Sequence, residues 1–151
     1  MAQTEAPATI VETIVINAPA SAVYAALTEP EELTKWWGSD DTYRAAVMEV
    51  DLRVGGKWKT SGRNREGKPF TVFGVYRIVD PPALLEFTWK HDFYDGALAE
   101  AETVVRYELE ERDGATQLRV THSGFTKLAG REDHSAGWKT VMAWLKKHVE
   151  G

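Results

Sequence analysis

This chain of 151 residues has no cysteine, so its chemistry must come from four histidines and from six tryptophans, five tyrosines and five phenylalanines. Without thiols there is no disulfide framework, thiolate metal site or cysteine nucleophile. The histidines are His91, His122, His134 and His148. Alternation along Leu118, Val120 and His122 turns His122 to an apolar inner face. Its imidazole can orient a polar atom of a ligand, or carry a proton with Tyr107 as a second candidate. Removal from water favours the neutral ring unless an acid pairs with it. The plainer role is a buried histidine bonded to a neighbour. A second polar group within hydrogen-bond reach would favour the proton carrier. Ser123 adjoins His122 but faces the other way, so no serine–histidine–acid triad is singled out.

Other reactive sites are argued against by spacing. His134 and His148 lie about 21 Å apart along one helix and cannot share an ion. There is no HExxH or calcium-loop pattern, so no metal is expected. Glu49 with Asp51, and Glu108 with Glu110, share faces with Arg53 and Arg106 and read as solvated. Gly55-Gly56 lacks the glycine, lysine and hydroxyl spacing of a phosphate loop, and no cofactor is implied. The rings make the stronger case. Trp58, Phe87, Trp89, Tyr107 and Trp138 fall on predicted inner faces, with Met48 and Met142 as adaptable filler. With His122 they are expected to enclose a cavity of roughly 300 Å³ or more for a small planar or lipidic molecule. Core packing is the competing account. Trp36 and Trp37, about 100° apart on a helix, are not expected to bury in one core. One of them is assigned to the cavity mouth or to a partner.

The elements that must position these groups follow from period and punctuation. Residues 1–8 read as a flexible leader. The β-branched run Thr9 to Ile16 is a strand, stopped by Pro19. Ala20 to Thr28 and Pro30 to Trp36 are short helices, the second ended by Gly38. Period two then holds over Arg44–Val54, Lys57–Gly62, Phe70–Val79, Leu84–Lys90, Thr103–Glu111 and Ala115–Ser123. In the second of these, Trp58 and Thr60 share a side opposite both lysines. Gly74 interrupts the third and marks a bulge or a close approach. Gly55-Gly56, Pro81-Pro82 and Asp113-Gly114 form corners. From Glu132 to Val149 the period becomes 3.6, with Trp138, Val141, Met142, Leu145 and Val149 on one stripe. The expected class is α+β: a curved antiparallel sheet of six to seven strands, one face covered by the long helix, in one domain spanning 9–150.

Composition bounds the partners. Hydrophobic residues are 43% and charged residues 27%, an ordinary globular balance. A net charge of -5 is the wrong sign for a general nucleic-acid binder. The basic stretch Lys57 to Lys68 also carries Glu66 and reads as a solvated hairpin. No apolar run reaches 18 residues, so no membrane span is expected. The opening MAQTEAPAT has neither a basic region nor an apolar one, so a cytoplasmic location is expected.

An ordered set of motifs resembles a known family. It comprises Pro19, Val23, Tyr24, Ala26-Leu27-Thr28, Pro30, Leu33 and Trp36-Trp37-Gly38. Asp51-Leu52-Arg53-Val54-Gly55-Gly56-Lys57-Trp58 follows, then Pro81-Pro82 with Leu85-Glu86-Phe87-Thr88-Trp89. Thr121-His122-Ser123-Gly124-Phe125 and Gly137-Trp138 complete it. From about Thr9 to Val149 the chain resembles bacterial proteins similar to the activator of the heat-shock-protein-ninety ATPase, in the START-like (SRPBCC) superfamily. The resemblance implies the helix-grip fold, with a pocket between sheet and helix, and a link to the stress response. It carries no universal catalytic motif. Three functions are compared. The lead is binding of a small hydrophobic or aromatic molecule. The second is a cavity enzyme, such as a cyclase, dehydratase or hydrolase, using His122. The third is a co-chaperone-like protein partner, which a collapsed interior with an exposed aromatic patch would favour. A homodimer through an exposed sheet edge is compatible with each.

Overall fold

Each alternating segment becomes a strand, because a half-apolar surface is stable only with one face against a core. The computed structural model describes residues 9–37, 43–64, 67, 69–91, 102–124 and 128–151. The chain runs β1 (Thr9–Ile16), α1 (Ala20–Thr28), α2 (Pro30–Trp36), β2 (Tyr43–Val50), β3 (Lys57–Asn64), β4 (Pro69–Asp80), β5 (Leu84–His91), β6 (Thr103–Arg112), β7 (Ala115–Ser123) and α3 (Leu128–Glu150). The seven strands form one sheet in the order β1-β7-β6-β5-β4-β3-β2. All six pairings are antiparallel. This is the α+β helix-grip architecture: an open, curved sheet folded toward α3.

Parity decides which side chains face inward. On β6, Thr103, Val105, Tyr107 and Leu109 are buried, and on β7, Thr116, Leu118, Val120 and His122. From α3, Trp138, Val141, Met142 and Leu145 join them in the core, with Val149 packed at its edge. The intervening charges face out, where Glu86 lies 3.3 Å from Arg77 and 3.5 Å from Arg106.

Long-range hydrogen bonds fasten the short helices. Pro19 gives α1 no side-chain cap. Instead the Ala20 N–H donates to Glu111 Oε1 at 2.8 Å, reaching back from the end of β6. A carboxylate there answers both an orphan N–H and the positive end of the helix dipole. Thr116 Oγ1 donates to the Ala18 carbonyl at 2.8 Å, tying the same corner to β7.

Three boundaries differ from expectation by two residues or more. β2 ends at Val50, not Val54, because the Arg53 N–H donates to the Asp51 carbonyl and the Gly56 N–H to the Arg53 carbonyl. These bonds coil the segment into a turn, and Leu52 is exposed within it. β3 continues to Asn64, paired with Tyr43. α3 begins at Leu128, four residues before the apolar stripe makes it visible. The leader 1–8 and the stop at Gly38 lie outside the described residues.

One contact joins α2 to the end of α3. Glu32 Oε1 and His148 Nε2 lie 2.7 Å apart, both half-buried, with Lys35 Nζ 3.6 Å from Glu32. The hydrogen bond from His148, aided by nearby positive charge, holds the Glu32 carboxyl below its usual range. A depressed carboxylate stabilises the fold above its unfolded value, near 4.5, and loses that contribution as pH falls through the folded value. Glu32→Gln should therefore lower stability by up to about 1 kcal/mol at pH 6–7, the pair being partly solvated. The deficit should shrink as the pH is lowered below about 4.5. Thermal melts of both proteins across this range check it; an equal deficit at both ends would contradict the charge assignment.

Candidate functional site

The interior is organised around the middle of β4, where its pairing with β5 is interrupted. On β4, Phe73 faces Lys90 and Tyr76 faces Phe87, while Gly74 and Val75 have no Cα partner on β5. Side chains replace the missing ladder bonds. The Val75 N–H donates to Thr88 Oγ1 at 2.8 Å. Trp58 Nε1 donates to the Thr88 carbonyl at 3.0 Å. Trp58 reaches that oxygen because its ladder partner is Gly74. A Cβ on Gly74 would collide with the Thr88 carbonyl. The glycine is the close approach that the sequence offered as one of two meanings; the register shift between β4 and β5 falls after it, between Tyr76 and Ile78.

Around this interruption the rings meet edge to face or tilted. Trp58 and Phe87 have centroids 5.3 Å apart at 80°, and Phe87 and Tyr107 lie 5.4 Å apart at 63°. Tyr76 meets Phe87 at 5.9 Å. Trp89 lies 5.4 Å from Trp58, 6.0 Å from Trp37 and 5.9 Å from Trp138. Each such pair contributes about 0.5–1.5 kcal/mol beyond its buried area.

Between these rings lies a cavity of about 30 Å³. Leu27, Leu33 and Trp37 line it from the helical side; Met48, Val50, Trp58, Thr60, Tyr76, Phe87, Trp89 and Tyr107 line it from the strands. The expectation of 300 Å³ or more is corrected: the space is on the scale of a water molecule. Tilted and T-shaped rings fill the grip themselves. Met48, Trp58, Phe87, Trp89 and Tyr107 are thus brought together, whereas His122, Trp138 and Met142 are buried outside the lining.

The two adjacent tryptophans also differ from expectation. Both are buried, Trp36 at 4% and Trp37 at 8% exposure. The 100° separation applies within a helix, and Trp37 has left it: its backbone is extended, at φ -83° and ψ 103°. Trp36 donates its indole N–H to the Ala26 carbonyl at 2.8 Å, packing α2 on α1. Trp37 turns into the cavity wall.

His122 sits in a closed hydrogen-bond chain. Trp138 Nε1 lies 2.9 Å from His122 Nδ1, and an indole nitrogen can only donate. Nδ1 must therefore carry the lone pair, leaving the ring proton on Nε2. That nitrogen is 2.7 Å from Thr103 Oγ1, whose own hydrogen goes to the Trp89 carbonyl at 3.2 Å. A second polar group does stand within reach, but the chain ends in a carbonyl of the fold. The ring is fully buried and both nitrogens are engaged by protein groups.

Other titratable groups near this interruption are poorly suited to proton transfer at neutral pH. Burial pushes the Tyr24 phenol up to about 12, and its hydroxyl donates to the Leu84 carbonyl at 3.2 Å. Burial raises Tyr76 also. The buried polar side chains among the described residues are five threonines and His122. Also among the described residues, no cluster of three or more histidines or carboxylates could hold a metal ion. No helix there is long and apolar enough to cross a membrane. The side chains of His91 and His134 lie outside the described set.

Sequence reasoning missed Leu27, Leu33, Val50, Thr60 and Tyr76 as lining residues. Parity beside Trp58 is a signal that finds Thr60. Leu27 and Leu33 carry no signal distinguishing a cavity wall from a helix core.

Residues 17–150 match the family described as Activator of Hsp90 ATPase homolog 1-like protein. Among solved structures, protein CV1439 from Chromobacterium violaceum is 26% identical, over 96% of this chain and 99% of that one, with a TM-score of 0.84. The AHSA1-like protein from Aeromonas hydrophila is 25% identical over 93% and 92% of the two chains, with a TM-score of 0.73. Protein NE0264 from Nitrosomonas europaea shares the fold, at 23% identity over 97% and 96% and a TM-score of 0.78. None of the curated proteins matches the chain.

Proposed function

The chain belongs to the family of Activator of Hsp90 ATPase homolog 1-like proteins, and from that premise we propose that it binds a small hydrophobic or aromatic molecule between its sheet and its helices. The supporting observation is the lining: among the described residues, six aromatic rings and four aliphatic side chains stand around a small internal space. Rings packed edge to face can re-stack about a flat guest without exposing a charge. Leu27, Leu33 and Trp37 form the wall that must yield to admit it. The role is binding rather than catalysis, because both nitrogens of His122 are held within the fold. The protein acts as one domain, in the cytoplasm.

The test is titration with N-phenyl-1-naphthylamine, a neutral dye that fluoresces on leaving water. Saturable binding of one equivalent at micromolar dye, quenching tryptophan emission, is expected. Native mass spectrometry of protein from its own host would then identify the natural occupant. Absence of saturable binding by this dye would sink the reading.

One observation favours the third function compared, a co-chaperone-like partner: the interior is nearly filled. The exposed large hydrophobics Val11, Val15, Leu52, Val54 and Phe73 are spread over β1, the turn after β2, and β4. In the sheet, β7, β6 and β5 separate β1 from β4. A docking patch would gather them.

A further inference from the structure

Two buried side-chain polar atoms lack a hydrogen-bond partner among the described residues, Thr60 Oγ1 and Arg106 Nε. Arg106 lies on the outer face of the sheet with Glu86 and Glu108 carboxylates 3.5 and 3.9 Å away, so its charge is answered. Thr60 has no such compensation. It is 5% exposed, and it lines the cavity. Its neighbours across the ladder are Met48 on β2 and Val72 on β4, both apolar. Valine would fill this position with nearly the same shape. A hydroxyl left without a partner there lowers stability, and native folds keep few such groups.

The chemistry of an occupant follows from what else lines the space. The indole N–H of Trp58 is engaged by the Thr88 carbonyl. Among the described residues no charged side chain appears in the lining, and an unpaired charge cannot be buried cheaply. Rings of Trp37, Trp58, Tyr76, Phe87, Trp89 and Tyr107 present faces and edges to a flat guest. We propose that the Thr60 hydroxyl is the polar anchor of this site, and that the ligand is a small neutral aromatic molecule bearing a hydroxyl or carbonyl oxygen. This rests on the interior-binding reading. A threonine hydroxyl both donates and accepts, so a phenolic or a carbonyl oxygen satisfies it.

Calorimetric titration of the full chain with p-cresol and with toluene tests this, using wild type, Thr60→Val and Thr60→Ser. The two probes differ by one hydroxyl. The p-cresol-to-toluene affinity ratio should fall about 3- to 10-fold in Thr60→Val, the worth of one neutral hydrogen bond. It should stay within about twofold of wild type in Thr60→Ser, which keeps the hydroxyl. Thr60→Val should also melt no lower than wild type. A lower melting temperature would show that the hydroxyl is already bonded, and would overturn the assignment. An unchanged ratio in Thr60→Val removes the anchor but leaves interior binding standing. Failure of wild type to bind either probe removes interior binding itself.

Discussion

Gly74→Ala should destabilise the protein by about 3 kcal/mol, the upper end of the usual cost when a packed core is forced to accept atoms it has no room for. The new methyl would collide with the Thr88 carbonyl and lie 2.7 Å from Trp58 Nε1. Neither neighbour can retreat easily. The Thr88 carbonyl accepts the Trp58 indole N–H, and the Thr88 hydroxyl accepts the Val75 N–H. One strand over, the Gly55 N–H donates to the Tyr76 carbonyl and the Tyr76 N–H to Gly56, both at 2.9 Å. Gly74 is thus held between two fixed strands. For a chain of this length the loss corresponds to a melting temperature lowered by roughly 6–12 °C. Thermal unfolding followed by circular dichroism measures it. A shift below 2 °C would show that the strand absorbs a methyl. Trp58→Phe removes the other half of the contact, so its effect and that of Gly74→Ala should add to less than their sum.

His122→Leu should cost about 3 kcal/mol or more, for a different reason. Volume is nearly kept, but the Trp138 N–H loses its acceptor and Thr103 loses its donor, all inside a dry core. Each orphaned group carries a desolvation cost of about 1–3 kcal/mol. Nitrogen-detected NMR of the wild type should show a hydrogen on Nε2 and a bare Nδ1. His122→Gln should fall between, since an amide can replace one of the two bonds. If His122→Leu keeps its melting temperature, the chain Trp138–His122–Thr103–Trp89 does not hold the fold together. A proton on Nδ1 would equally refute it, because that nitrogen would then face the indole N–H. A proton-carrying His122 makes the opposite forecast: stability largely retained and turnover lost.

Much of this fold was legible in one chain because two periods dominate it. β6 and β7 alternate without fault, so Tyr107 and His122 could be put inside from parity alone. α3 shows its buried stripe through Trp138, Val141, Met142 and Leu145. Its first turn, 128–131, carries no such stripe, so periodicity alone places its start late. Trp37 shows the limit of periodicity: one residue past a helix end, the angle that predicts exposure no longer applies.

The residues by themselves therefore determined the class of fold, the order of its elements and the inward set of rings, because these depend on side-chain spacing along a single strand or helix. They also marked Gly74 as special, although not which neighbour required it. Tertiary structure alone decided whether the rings enclose a space or fill it. That depends on interplanar angles and centroid distances between strands far apart in sequence, such as Trp58 with Phe87 and Trp37 with Trp89. It decided the role of His122 as well, by bringing the Trp138 indole to one ring nitrogen and Thr103 to the other. It left the Thr60 hydroxyl facing apolar neighbours, because hydrogen bonding at that position is settled by what β2 and β4 present across the ladder. No spacing within β3 encodes that.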